Sequence, residues 1–177
     1  MIKPHIFLNA LKKVKIKFVT GVPDSLLKDI CASIDEKFPK NKHIIATNEG
    51  SAVGLAIGHY LASKKPALVY MQNSGLGNSV NPTVSLADPK VYGIPIIFLI
   101  GWRGENLKNG RQINDEPQHL KQGKITLKQL ELLARFKKKD WQFLFVYGIR
   151  AIRRVRQHIF NLTKHQKQRT NATPSEI

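Results

Sequence analysis

The chain has 177 residues, a net charge of +17 and an isoelectric point near 10.2, long enough for one domain with its own core and too short for two large ones. A single cysteine, Cys31, excludes an internal disulfide and a zinc site built from thiolates. No apolar run approaches the roughly 18 residues of a membrane span, and the N-terminal Met-Ile-Lys-Pro-His-Ile-Phe-Leu lacks the longer apolar stretch of a secretory signal, so a soluble, cytoplasmic protein is expected.

In chain order, Ile6 to Val14 reads as a short amphipathic helix and Phe18 to Gly21 as a strand running into a turn at Pro23. Asp24 or Ser25 can cap a second helix carrying Leu26, Leu27, Ile30 and Ile34, with Cys31 expected as a buried thiol. His43 to Ala46 is a short strand, and a glycine-striped helix follows it. Pro66 to Met71 is a strand with no polar alternation, as in a sheet covered on both faces. Gly77 to Leu86 is the next helix, interrupted or started by Pro82. Ile94 to Ile100 is the clearest strand, with Pro95 at its start, where a missing donor is tolerated. From Trp102 to Lys124 no periodicity is visible, so a long loop is expected, and Thr126 to Leu133 restarts a helix. Gln142 to Tyr147 reads as a last strand, Ala151 to Phe160 as a basic helix and Asn161 to Ile177 as a polar tail. Alternating strands and helices predict a doubly wound, mainly parallel α/β sheet with helices on both faces. In such a sheet ligands bind beyond the carboxyl ends of the strands.

The segment Ala46 to Gly58 places one carboxylate, Glu49, in the first turn of a helix otherwise stripped of large polar side chains. Asn48 can cap that helix, and the helix dipole favours an anion at Glu49. Gly50, Gly54 and Gly58 recur every four residues, each costing about 1 kcal/mol relative to Ala, so the stripe predicts a close backbone contact. Further motifs lie at the ends of the predicted strands: Gly21-Val22-Pro23-Asp24-Ser25, Tyr70 to Asn78, and Ile100 to Glu105. Asp115-Glu116-Pro117-Gln118-His119 lies in the irregular stretch. Arg103, after a buried strand, suits bidentate contact with a tetrahedral oxyanion. His119 can donate or accept near neutral pH. His5, His43, His59, His158 and His165 have no metal-like spacing, and no metal ligands are expected.

Together these motifs resemble, from about Phe18 to Leu133, the pyrimidine-binding (PYR) domain of thiamine-diphosphate enzymes, nearest the phosphonopyruvate decarboxylases and the alpha subunits of sulfopyruvate decarboxylases. The resemblance implies thiamine diphosphate as cofactor, with Glu49 hydrogen-bonded to its pyrimidine nitrogen and Asp24 facing its reactive carbon. Gln72, Asn73, Ser74 and Gly75 would lie against the cofactor, and Arg103, His119 and Asn78 against the substrate. It also implies an activity, decarboxylation of phosphonopyruvate to phosphonoacetaldehyde, with sulfopyruvate as the alternative substrate.

The Gly-Asp-Gly and later Asn that hold diphosphate and Mg2+ in such enzymes occur nowhere in this chain. The resemblance therefore implies that a diphosphate-binding (PP) domain comes from a partner subunit or a homologous chain, in an oligomer, or that the chain is a truncated form. Residues 1–133 form the expected PYR domain and residues 134–177 a divergent basic segment. That segment has eleven Lys and Arg against two acids, carrying +9 of the +17. Neither nucleic acid nor membrane is the expected partner. The competing reading is a catalytically inert module with a basic tail that binds nucleic acid or an acidic partner.

Overall fold

The computed structural model describes residues 3–105, 111–133 and 143–147. Five parallel strands form one sheet in the order β2-β1-β3-β4-β5. In chain order the elements are α1 (Pro4–Lys13), β1 (Val19–Gly21), α2 (Lys28–Lys37), β2 (His43–Ile45), α3 (Glu49–Ser63), β3 (Ala67–Gln72), α4 (Leu76–Pro82), β4 (Ile96–Gly101), α5 (Pro117–Leu133) and β5 (Phe143–Tyr147). The chain steps outward from β1 to β2, then crosses back over β1 to β3 and onward. The order therefore reverses between β1 and β3, which opens a crevice at the carboxyl ends of those strands. The basic helix and polar tail expected after Tyr147 lie outside the described residues.

The unbroken apolar run of β3 follows from burial on both faces. Ala67, Val69 and Met71 point to a cluster with Ala52, Val53, Ala56 and Ile57 of α3, while Leu68 and Tyr70 point to Phe7, Leu8 and Leu11 of α1 and Ile30 and Ile34 of α2. β4 alternates in the same way, Ile96, Phe98 and Ile100 against Ile97 and Leu99. Each such side chain, fully buried, contributes about 1.5–3 kcal/mol. Two-sided coverage is therefore what holds the sheet.

Gly21 has a specific reason to be glycine. A Cβ there would lie 2.6 Å from the Tyr70 ring and would strike the Tyr70 carbonyl. The ring uses that gap to cross β1, and its hydroxyl meets Nε2 of buried His43 on β2 at 2.9 Å. His43 Nδ1 in turn lies 3.3 Å from Asp35 of α2. Around the turn, Val22 N–H donates to the Tyr70 carbonyl at 3.0 Å and Ala46 N–H to the Gly21 carbonyl at 2.9 Å. These bonds register the start of the Asp24 turn against β3 and the approach to Glu49 against β1.

Three expectations are corrected. The irregular stretch ends at Glu116, because α5 begins at Pro117 and not near Thr126. Its buried positions include Gly123 and Thr126, small or polar residues that give no apolar periodicity. The helix read as Gly77 to Leu86 is α4 followed by a π-turn over Thr83–Ala87, consistent with the lost donor of Pro82. The glycine stripe does not pack along its length, since only Gly50 is close to other atoms, 2.9 Å from the Asn78 carbonyl to an added Cβ, while Gly54 and Gly58 face open space. Cys31 is half-buried, and its thiol is pushed up to about 11, first by burial and then by the charge of Asp24.

These contacts set opposite signs for two glycine substitutions. Gly21→Ala is expected to destabilise the chain by about 1–3 kcal/mol through overlap with Tyr70. Gly58→Ala is expected to stabilise it by about 0.5–1 kcal/mol. Denaturant unfolding of the isolated chain checks both; equal effects would contradict the contacts described.

Candidate active site

The rim of the crevice is built from the segments that leave β1, β2, β3 and β4. On the β2 side, Asn48 caps α3 by accepting Ser51 N–H at 2.8 Å, which fixes Glu49 in the first turn. Glu49 Oε2 accepts a hydrogen bond from Asn78 Nδ2 at 2.8 Å. The turn after β3 presses on the same carboxylate, because a Cβ on Gly75 would lie 2.5 Å from Glu49 Cδ and Oε1. Only glycine at position 75 leaves room for this carboxylate. Asn78, expected at the substrate, is here a partner of Glu49.

Asp24 is both a cap and a buried acid. Its Oδ2 accepts Leu26 N–H at 3.2 Å, capping the short 3-10 turn Ser25–Leu27. Its Oδ1 is buried with no hydrogen-bond partner among the described residues. Burial pushes its proton affinity up, offset in part by the amide of Leu26 and the charge of Arg103. A Cβ on Gly101 would collide with its Oδ2, so the end of β4 is shaped to admit this side chain. A carboxyl with an unsatisfied buried oxygen is suited to holding and releasing a proton.

Arg103 is pinned at both ends. Its guanidinium makes a two-pronged bond to Asp115, Nε to Oδ2 at 2.8 Å and Nη2 to Oδ1 at 2.5 Å, and Nη1 donates to Ser25 Oγ at 3.1 Å. That bond holds the Asp115 carboxyl well below the usual carboxylate range. The backbone N–H of Arg103 donates to Asn73 Oδ1 at 3.2 Å, and the Arg103 carbonyl accepts from Asn73 Nδ2 at 3.0 Å. Asn73 also donates to Thr126 Oγ1 at 2.9 Å and is fully buried. Its side chain therefore ties β3, β4 and α5 together and is not exposed to a ligand.

Gln72 and Ser74 bond to each other at 2.8 Å at the crevice edge. His119 sits in the first turn of α5, and no hydrogen bond links its ring to Glu49, Asp24 or Arg103 among the described residues. Sequence reasoning gave no role at the site to Asp115, Gln122 or Thr126 and read Ser25 only as a candidate cap. Asp115 stands twelve residues from Arg103, and no local pattern announces such a pair. Gln122 Nε2 donates to the Asn73 carbonyl at 3.0 Å, from a helix that the periodicity did not show.

A cavity of about 750 Å3 runs along α3 and the edge strand β2, lined by Phe18, Ile44, Ile45, Gly54, Leu55 and Gly58 among others. It begins at Thr47 and Ser51, beside Glu49, and not at Asp24. Among the described residues no group of His, Cys, Asp and Glu is arranged to hold a metal, and no helix is long and apolar enough to cross a membrane.

A parallel sheet that reverses between β1 and β3, with an acid in the first turn of α3, defines an α/β ligand-binding domain. The benzoylformate decarboxylase of Polynucleobacter necessarius shares the fold, with a TM-score of 0.52 and 18% identity over 80% of this chain and 28% of that one. Residues 4–132 match the sequence family described as thiamine pyrophosphate enzyme, N-terminal TPP binding domain, and the chain belongs to that family. Thiamine diphosphate is accordingly the cofactor of that family. The chain is similar to the sulfopyruvate decarboxylase subunit alpha of Methanocaldococcus jannaschii, 44% identical over 100 residues, which are 55% of each chain. It is also similar to the phosphonopyruvate decarboxylase of Streptomyces viridochromogenes, 37% identical over 132 residues, 75% of this chain and 31% of that one. The match thus covers about half the length of the alpha subunits.

Because burial raises Asp24 above its unfolded value near 3.8, its contribution to stability is complete below that value and is lost as pH rises through the folded one. Asp24→Asn should therefore gain stability relative to the parent chain as pH is raised from about 4 to about 7. Unfolding midpoints measured across that range check this. A difference independent of pH would show that Asp24 is an ordinary solvated cap.

Proposed function

We propose that this chain is the pyrimidine-holding part of a thiamine-diphosphate-dependent 2-oxo acid decarboxylase, a carboxy-lyase. Its first candidate substrate is phosphonopyruvate, and sulfopyruvate is the second. The observation that carries the reading is the Glu49 carboxylate, held at the rim by Asn78 and given room by Gly75, in a chain of this family. The residues fit the cofactor: a half-buried carboxylate at a helix start can share a proton with a ring nitrogen, and the glycine turn beside it leaves space that a side chain would fill. Bound thiamine diphosphate supplies the electron sink that lets a 2-oxo acid lose carbon dioxide.

The chain supplies proton placement and orientation. Glu49 holds a proton at the pyrimidine ring nitrogen. Gln72, Ser74 and Gly75 border the crevice on the β3 side, where the ring would lie. Asp24, buried beside Gly101, moves a proton at the reacting carbon after carbon dioxide departs. Arg103 and His119 are the groups assigned to the substrate. Asn73 holds Arg103 in place and reaches the ligand only through it.

Diphosphate and Mg2+ are assigned to a second chain or domain. This chain carries no Gly-Asp-Gly, its match covers only 31% of the phosphonopyruvate decarboxylase, and other relatives are named as alpha subunits. The cavity along α3, with Gly54 and Gly58 open on it, is the surface proposed for that second domain. Residues 1–133 are the proposed PYR unit, although β5, at Phe143–Tyr147, pairs with β4 in the same sheet. The segment 134–177 therefore includes sheet structure as well as basic charge. A cytoplasmic location is part of the same proposal.

Purified chain with thiamine diphosphate and Mg2+, alone and mixed with a candidate diphosphate-binding chain, should release carbon dioxide from phosphonopyruvate or sulfopyruvate only in the mixture. Glu49→Gln should lower that rate by about 100-fold or more. Undiminished activity in Glu49→Gln would contradict the role given to this carboxylate. Absence of association and of turnover with every candidate partner would contradict the decarboxylase reading.

A further inference from the structure

We infer that the amino edge of the sheet, opposite the crevice, binds single-stranded nucleic acid, with Lys15, Lys17, Lys42, Lys64 and Lys65 meeting its phosphates and Tyr92 stacking on a base. The inference rests neither on the decarboxylase reading nor on the basic segment after residue 133.

The paired strands are all parallel, so the stretches that enter them end at one edge. Residues 12–17 lead into β1, 35–42 into β2 and 64–65 into β3. These stretches hold nine lysines against Asp35 and Glu36, a net +7 out of the +8 carried by residues 1–133. All nine are exposed, and among the described residues only Lys37 is ion-paired, with Glu36. Lys90, also exposed, adds a charge before β4. The strand order β2-β1-β3-β4 spreads these entries over about 15 Å, a row that suits a linear polyanion. Asp24, Glu49, Asp115 and Glu116 lie at the other edge, so the lysines do not line a substrate's approach to the crevice.

A cation near the carboxyl end of a helix is favoured by the dipole, which accounts for Lys12 and Lys13 in the last turn of α1 and Lys37 in that of α2. It does not account for Lys17, Lys40, Lys42 and Lys65, which lie beyond the helices. Lys15 and Lys64 go further against the fold. With φ of 59° and 55°, they are the two non-glycine residues in the left-handed region among the described residues. Each closes a helix where glycine is the usual residue. Ile16 N–H reaches the Leu11 carbonyl at 3.0 Å around Lys15, and Lys64 N–H donates to the Tyr60 carbonyl at 2.7 Å. Backbone energy is thus spent on keeping a lysine at two positions of this edge. The β2 and β3 entries also converge, since the charges of Lys42 and Lys65 both act on His59, whose proton affinity is lowered first by burial and then by them.

The residue types select the partner. Lysine meets a phosphate as a point charge, without the two-pronged geometry by which arginine reads a base. These stretches contain no arginine, so binding is independent of base sequence. The apolar residues among the lysines, Val14, Ile16 and Phe18, are buried and leave no anchor there for a bilayer. Tyr92 is 63% exposed in the turn that enters β4, two residues from Lys90. An exposed ring can stack on an unpaired base, whereas bases in a duplex are already stacked.

The test measures binding of the full chain to a fluorescein-labelled oligothymidylate of about twelve nucleotides, by anisotropy across a salt series. Lys15→Gln, Lys17→Gln, Lys42→Gln and Lys65→Gln combined should weaken binding by about tenfold or more near 100 mM salt and flatten the slope of log K against log salt by about 3. Tyr92→Ala should weaken the single strand by about fivefold or more and leave a duplex of the same length unchanged. Lys15→Gly with Lys64→Gly should raise the unfolding midpoint and still weaken binding, a split that a purely structural role would not give, and this pair decides the matter if the fourfold variant does not fold. Binding unmoved by the lysine substitutions would place the affinity in residues 134–177 and overturn the inference. Indifference of the single strand to Tyr92→Ala would overturn it too, as would equal or tighter binding to the duplex, to vesicles containing phosphatidylserine or to polyglutamate.

Discussion

The rim of this protein depends on how closely the turn after β3 approaches the first turn of α3. Gly75 gives up a side chain so that the Glu49 carboxylate can lie against its Cα, and Asn78 then binds the same carboxylate from the next helix. A methyl group at position 75 would collide with Glu49 unless that side chain swung away. The helix dipole favours an anion there but does not choose its direction; the glycine turn and the amide do. The role proposed for Glu49 rests on the placement of this one carboxylate.

A second tie makes the rim rigid across the strand ends. Asn73 joins the exit of β3 to the backbone of Arg103 after β4 and to Thr126 on α5, and Arg103 reaches on through Asp115 and Ser25. A buried amide with each polar end satisfied is worth more than its individual bonds, because the loss of one partner strands the others. In this way α5, which lies far along the chain, is recruited to hold the segment that leaves β4. Gly104, with φ of 63°, and Gly123 permit the close backbone crossing that this requires.

The sheet was legible in the sequence because its strands announce themselves by burial. Ile96 to Ile100 and Ala67 to Met71 are apolar on both faces, and the turns between them carry Gly, Pro and capping residues. The position of Glu49 was legible for the same reason, as a lone carboxylate after a cap. The start of α5 was not, since its first buried positions are Gly123 and Thr126, which carry no apolar signal. The Arg103–Asp115 pair was not legible either, because two residues joined across an irregular loop have no periodicity. Arg103 was read as a bidentate partner for a substrate oxyanion and Asn73 as a ligand contact; in the structure the first is bonded to Asp115 and the second is enclosed. Asp24 was open to two readings, cap or acid, and the structure gives it both, one oxygen to each.

The central claim is that Glu49 addresses the pyrimidine ring nitrogen of the cofactor. The most direct measurement is the nitrogen-15 resonance of that ring atom in labelled thiamine diphosphate bound to the assembled complex. The account predicts a resonance displaced from its position in free cofactor and returned toward that position in Glu49→Gln. A bound cofactor whose ring nitrogen resonates as it does in water, or is indifferent to Glu49→Gln, would contradict it.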